Sequence, residues 1–289
     1  MQHVGFHGHV VMFGRHKGIS KPAGIHSAAF GFPPLQVVVR TALFEDRGAA
    51  LLWAARQLPA LTALDFYSLQ GDDRTAEPLS EDYGLPRCQE LAELRSSSLT
   101  RLRVCMLDGL AQGNMLRLTG LPELQSCEIF GETVRSLDMR IEDTSFRAVP
   151  QLQALHLQDI SGVQLQPGSL AELTALTALR LINCGLHGVP ADVRKLSGTL
   201  SVFDVSGNVD LQLDGAAVAS VLACSRLRTF GCYKLRTCFY EPHTLMHLVR
   251  LPTAFMKRHG RELDVFVDRK SHIECTVENN TWKLLPGVL

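Results

Sequence analysis

Between residues 173 and 211 the apolar positions form a ladder: Leu173, Leu176, Leu179, Leu181 and Leu186, with Cys184 between the last two. About 24 residues on, the ladder returns as Leu200, Phe203, Val205 and Asn208. A short element patterned this way cannot bury its own apolar face. It must stack on copies of itself, and the stack must share one dry interior.

The same ladder aligns further segments. Its central apolar pairs are Leu64/Phe66, Leu102/Val104, Cys127/Ile129, Leu137/Met139, Leu155/Leu157, Leu179/Leu181, Phe203/Val205 and Phe230/Cys232. From Leu155 onward the pairs advance within the 20–29 residues of a stacked unit. The wide step after Leu64/Phe66 predicts an insert over 70–86, acidic, polar and bounded by proline. The step from Cys127/Ile129 to Leu137/Met139 is too short for a full coil. There the pattern predicts a tight strand-loop-strand turn around Gly131, or a false match at Leu137/Met139.

Outside the ladder, residues 1–34 are rich in Gly, His and Pro without a period, and read as a poorly ordered lead-in. The run Gln36 to Arg40 predicts a strand, and 47–58 a helix stopped by Pro59. Together 35–57 form a degenerate first unit or cap. Helices or short turns are predicted over 87–96, 169–173, 191–196 and 214–224, the last capped by Asp214. A helix over 242–258, with Pro252 as the point where it would break, is followed by strands over 263–267 and 273–277. The domain order is thus lead-in 1–34, cap 35–57, stacked units 58–238 and a helix-and-strand cap 239–289.

The spacing LxxLxLxxCxL at 176–186 and the GLHGVP segment at 185–190 resemble those of leucine-rich-repeat proteins, of the intracellular plant and algal type. The resemblance covers about 58–235 and is tightest at 173–211. It implies an α/β solenoid: a curved right-handed coil with parallel strands on its concave face. The family supplies no catalytic residues and implies protein binding on the concave surface. Members of this kind include axonemal proteins and substrate receptors of ubiquitin ligases, although 1–57 show no convincing F-box. The inward Asn or Cys after each strand, here Asn208 and more weakly Cys184, is expected to satisfy orphan backbone groups at the turn.

Strand positions flanking each ladder residue then point outward. They include Asp65 and Tyr67; Arg101 and Arg103; Glu128 and Phe130; Asp138 and Arg140; His156 and Gln158; Arg180; Asp204; and Tyr233. This column is the expected partner-binding face, with Arg and Tyr as anchors.

Composition narrows the chemistry. Lys and Arg balance Asp and Glu, giving a formal net charge of zero. No basic block stands out, so neither nucleic acid nor an anionic membrane is an expected partner. No apolar run reaches the length of a membrane span. The His- and Gly-broken start argues against a secretory signal, and the lack of acidic residues before Glu45 leaves an organellar address as a lesser reading. The eight cysteines show no CxxC and no zinc-ligand spacing, and read as reduced, buried small hydrophobes. His3, His7, His9 and His16 lack carboxylate neighbours, so no metal is assigned to them. There is no GxSxG, no GxxxxGK[ST] and no strand-linked GxGxxG. The expectation is a monomeric, non-catalytic, cytoplasmic binding scaffold without cofactor. A ligase substrate-recognition subunit and an axonemal or cytoskeletal component are the alternatives.

Overall fold

A computed structural model describes residues 9–12, 35–40, 52, 61–67, 88–106, 115–131, 138–233, 242–266, 275–278 and 281–284. Its strands are β1 (His9–Met12), β2 (Leu35–Arg40), β3 (Leu61–Tyr67), β4 (Arg101–Met106), β5 (Ser126–Gly131), β6 (Asp138–Ile141), β7 (Ala154–Gln158), β8 (Gly162–Leu165), β9 (Ala178–Ile182), β10 (Val202–Asp204), β11 (Thr229–Gly231), β12 (Asp264–Phe266), β13 (Cys275–Glu278) and β14 (Thr281–Leu284). The helices are α1 (Cys88–Glu93), α2 (Gly215–Ala223) and α3 (Pro242–His259), with a 3₁₀ segment at Ala191–Leu196.

Ten strands form one open parallel sheet in the order β1-β2-β3-β4-β5-β7-β9-β10-β11-β12. Sequential strands of this sheet lie side by side, while β6 and β8 pair with each other in a separate parallel sheet and β13 and β14 in a separate antiparallel one. The protein is therefore a mixed α/β molecule built on parallel strands. Among the described residues no helix is long and apolar enough to cross a membrane.

Register explains the apolar ladder. Leu64, Leu102, Cys127, Leu155, Leu179, Phe203 and Phe230 are direct cross-strand partners. All seven are buried and belong to one continuous core. The second inward row holds Val104, Ile129, Leu157 and Leu181, also in register and fully buried. Side chains alternate across a strand, so the two inward rows leave the residues between them to the opposite face. Burying each such leucine contributes about 1.5–3 kcal/mol.

Strands β5, β7, β9, β10 and β11 are entered by the same move. Gln125 and Ser126 both donate to the carbonyl of Thr100, Gln153 and Ala154 to that of Gln125, and Thr177 and Ala178 to that of Gln153. Ser201 and Val202 continue to Thr177, and Arg228 and Thr229 to Ser201. The backbone donors at each entry are thereby satisfied by the preceding entry.

The turns after the strands are equally ordered. Asn208 is buried, and its Oδ1 accepts from the N–H groups of Cys184 at 2.8 Å and Leu186 at 3.1 Å. Its Nδ2 donates to the carbonyls of Leu181 and Val205, both at 2.7 Å. One amide thus satisfies four buried main-chain groups, as the sequence suggested. Cys184 does the same with less: its thiol donates to Leu157 O at 3.3 Å and Ile182 O at 3.4 Å. Burial pushes the Cys184 thiol up to about 12, so it keeps the proton it donates. Just before these residues the chain turns left-handed at Asp159 (φ 57°), Asn183 (φ 50°) and Gly207 (φ 77°). Asp, Asn and Gly are the residues that enter this region at least cost.

Several expectations need correction. The pair Leu137/Met139 is a false match to the main ladder: Met139 is buried, but on β6, which stacks on β8. Short bridges Met115 to Arg140 and Gly188 to Gln212 continue this second layer through the return segments. Main-chain pairing between return segments leaves no mark on the apolar pattern. The lead-in 1–34 contains strand β1, paired with β2; the rest of it lies outside the described residues, as do the insert over 70–86 and, Leu52 apart, the helix over 47–58. Helix α3 runs through Pro252 without breaking. Leu248, Leu251 and Phe255, all buried, hold both sides of the proline on the core.

The remaining elements follow the reading. Helix α2 is capped by Asp214, whose carboxylate accepts from Ala217 N–H at 2.7 Å. After α3 the chain returns as β12, which pairs with β11 and covers that edge. Cys88, Cys127, Cys184, Cys224 and Cys232 are buried, and Cys105 is half-buried.

Candidate binding face on the parallel sheet

The polar face of the sheet has one continuous row. Asp65, Arg103, Glu128, His156, Arg180, Asp204 and Gly231 are successive cross-strand partners on β3, β4, β5, β7, β9, β10 and β11. A second row runs Cys105, Phe130, Gln158 and Ile182. A third, at the strand entries, begins with Arg101 and continues through the small residues Ser126, Ala154 and Ala178.

Charges in the central row are set beside opposite charges. Arg103 Nε lies 3.2 Å from Glu128 Oε2, and Arg101 reaches Glu128 Oε1 at 3.9 Å. Partly exposed pairs of this kind are worth about 0–1 kcal/mol, so they order side chains more than they stabilise the fold. The Arg103 guanidinium also lies 4.8 Å from the centre of the Phe130 ring, and Phe130 meets His156 edge-on at 5.3 Å. Burial holds the His156 imidazole below its ordinary value of 6.5; Glu128 opposes that shift and Arg180 adds to it. His156 Nε2 and Asp65 Oδ1 are buried atoms with no hydrogen-bond partner among the described residues.

At the far end of the row, Asp204 Oδ1 accepts from Ser206 N–H at 3.0 Å. Its carboxylate lies over Gly231, where any Cβ would collide with it. The absence of a side chain at Gly231 is what lets Asp204 fold down onto its turn.

The structure thus brings together Asp65, Arg101, Arg103, Glu128, Phe130, His156, Gln158, Arg180 and Asp204 on one face. Tyr67 ends β3, with its side chain outside the described residues. Asp138 and Arg140 do not join this face. They lie on β6, where Arg140 pairs with Gln164 of β8. Tyr233 lies past the end of β11, in the turn, where its N–H donates to Ser206 Oγ and its carbonyl accepts from Gly207 N–H. One contact at the rim escaped the sequence reading: Asn183 Nδ2 donates to Asp159 Oδ1 at 2.9 Å. Its signal was present, since residues tolerant of a left-handed backbone recur two places after Leu157, Leu181 and Val205.

The face offers cationic, anionic, aromatic and small side chains on a rigid backbone. Among the described residues no group of three or more His, Cys, Asp or Glu is placed to hold a metal ion. No protein-family model and no curated protein matches the chain.

Proposed function

We propose that this chain is a leucine-rich-repeat scaffold that binds a partner protein on the polar, concave face of its parallel sheet, without catalysing a reaction. The observation that carries this reading is the unbroken cross-strand row from Asp65 to Asp204. Its opposite face is spent entirely on the core, so the row is available for recognition while the backbone beneath it is held rigid. Arg and aromatic side chains partly seated among neighbours are favoured anchors at protein interfaces. The matching strand entries and the Asn208 and Cys184 turns support the family assignment. The buried thiols of Cys127, Cys184 and Cys224 suit a reducing compartment, and a cytoplasmic monomer is the simplest setting. A ligase receptor would need a free docking helix, whereas α3 spends Leu248, Leu251 and Phe255 on the core.

The test is co-purification from native extract with the partner identified by mass spectrometry. The double variant Arg103→Glu/Arg180→Glu is expected to weaken capture at least about tenfold by reversing two charges at the face. Arg140→Glu, off the face, is expected to leave it unchanged. Capture that survives the double variant, or is lost with Arg140→Glu alone, refutes the assigned surface.

A further inference from the structure

The structure points to an anion site away from that face, and we propose that it binds a phosphate group. A cleft of about 470 Å³ opens at the strand-entry edge of the sheet, lined by Thr177, Thr199, Ser201, Arg226, Arg228 and Arg261. Thr177, Ser201 and Arg228 are the residues immediately before β9, β10 and β11. Arg261 follows α3. The proposal does not depend on the scaffold reading, because none of these residues belongs to the polar rows.

Three arginines line the cleft, and its lining contains no carboxylate. Arg101 and Arg103, by contrast, share Glu128, and Lys195 meets Asp192 at 3.1 Å. Arg226 and Arg228 are exposed and have no ion-pair partner among the described residues. Like charges lining one cleft raise the local potential and draw in an anion. Arg261 is already held in place, donating to the carbonyl of Ser225 with its guanidinium 5.7 Å from the Phe255 ring centre.

The hydroxyls cannot lead recognition. Thr177 Oγ1 donates to Gln153 O, Ser201 Oγ to Thr177 O and Thr199 Oγ1 to Leu196 O, so their protons are committed. The guanidinium forks remain, and their planar N–H pairs match phosphate oxygens in bidentate fashion. The forks of Arg226 and Arg228, with the charge of Arg261 beside them, suit a doubly charged phosphate better than a singly charged carboxylate. The cleft volume lies in the range of small-ligand sites, so it has room for a body beyond the phosphate. The phosphate can come from a small phosphorylated molecule or from a phosphorylated side chain.

Titration calorimetry on the full chain separates these sources. The probes are inorganic pyrophosphate and a phosphoserine peptide with its unphosphorylated twin. Wild type is expected to bind at least one phosphate probe saturably at one site, more weakly as salt rises. Arg226→Ala/Arg228→Ala is expected to weaken that binding at least about tenfold, each lost charged hydrogen bond being worth about that factor. Both residues are exposed, so the melting temperature should not move. Arg226→Lys/Arg228→Lys keeps the charge, loses the forks and should also bind more weakly. Preference for pyrophosphate indicates a small ligand, and preference for the phosphopeptide a modified protein. Absence of saturable binding by either probe, or binding unaffected by the alanine pair, overturns the proposal.

Discussion

The turns that follow β9 and β10 are closed by inward side chains, whereas the turn that follows β7 has none and leads into β8, paired along its main chain with β6. In the later region Asn208 and Cys184 reach inward and satisfy carbonyl and N–H groups of the coil before them. In the earlier region the corresponding place after β7 holds Ile160, which has no polar group to offer. There β6 and β8 pair instead, Leu116 donates to Arg140 O at 2.9 Å, and Gln166 to Ile141 O at 2.9 Å. Buried main-chain groups must be paired. Both regions use main-chain pairing, with Gly188 bridging Gln212 in the later one, but only the later region adds a side-chain solution, which one substitution can remove.

The largest expected effect therefore falls in the later region. Asn208→Ala removes four bonds at once and should lower unfolding stability by about 4 kcal/mol or more in denaturant titration, at about 1–3 kcal/mol for each orphaned buried group. Cys184→Ala, which loses one weak donor, should lower it by only about 1 kcal/mol. Equal losses in the two variants would break the contrast. Leu179→Ala, between these extremes, tests the shared interior rather than the turns. It is expected to lose about 2–5 kcal/mol, and an unshifted unfolding midpoint would contradict the inward row.

The smallest expected effect is electrostatic and concerns the polar face. Folded His156 resists protonation because it is half-buried, whereas in the unfolded chain it titrates at its ordinary value of 6.5. Below that pH the unfolded state binds the extra proton, so stability contributed by neutral His156 declines as pH falls. His156→Gln should flatten the fall in melting temperature between neutral and mildly acidic pH. A variant whose acid slope matches wild type would show that the ring is not held neutral by its surroundings.

The outcome at particular residues shows where sequence reading succeeds. Leu155, Leu179 and Phe203 announce themselves because burial of one strand face demands an apolar residue at fixed spacing. Asn208 is legible for a related reason: a polar residue at the place of an apolar one must have a partner inside. Arg140 was misplaced because Met139 has the right character and the wrong neighbours. A buried methionine reports that it faces a core, not which strand lies beside it. The arginine cleft was invisible, since Arg226 and Arg261 are far apart in the chain and meet only when β12 is laid beside β11.

By itself the sequence determined the period, the inward residues and the alternation that sends charged side chains outward, because these are consequences of local spacing and the removal of apolar surface from water. Tertiary structure alone decided which strand pairs with which, and so which charges become neighbours. Pairing is a long-range choice, made by main-chain hydrogen bonds that are identical for every residue and leave no mark on composition.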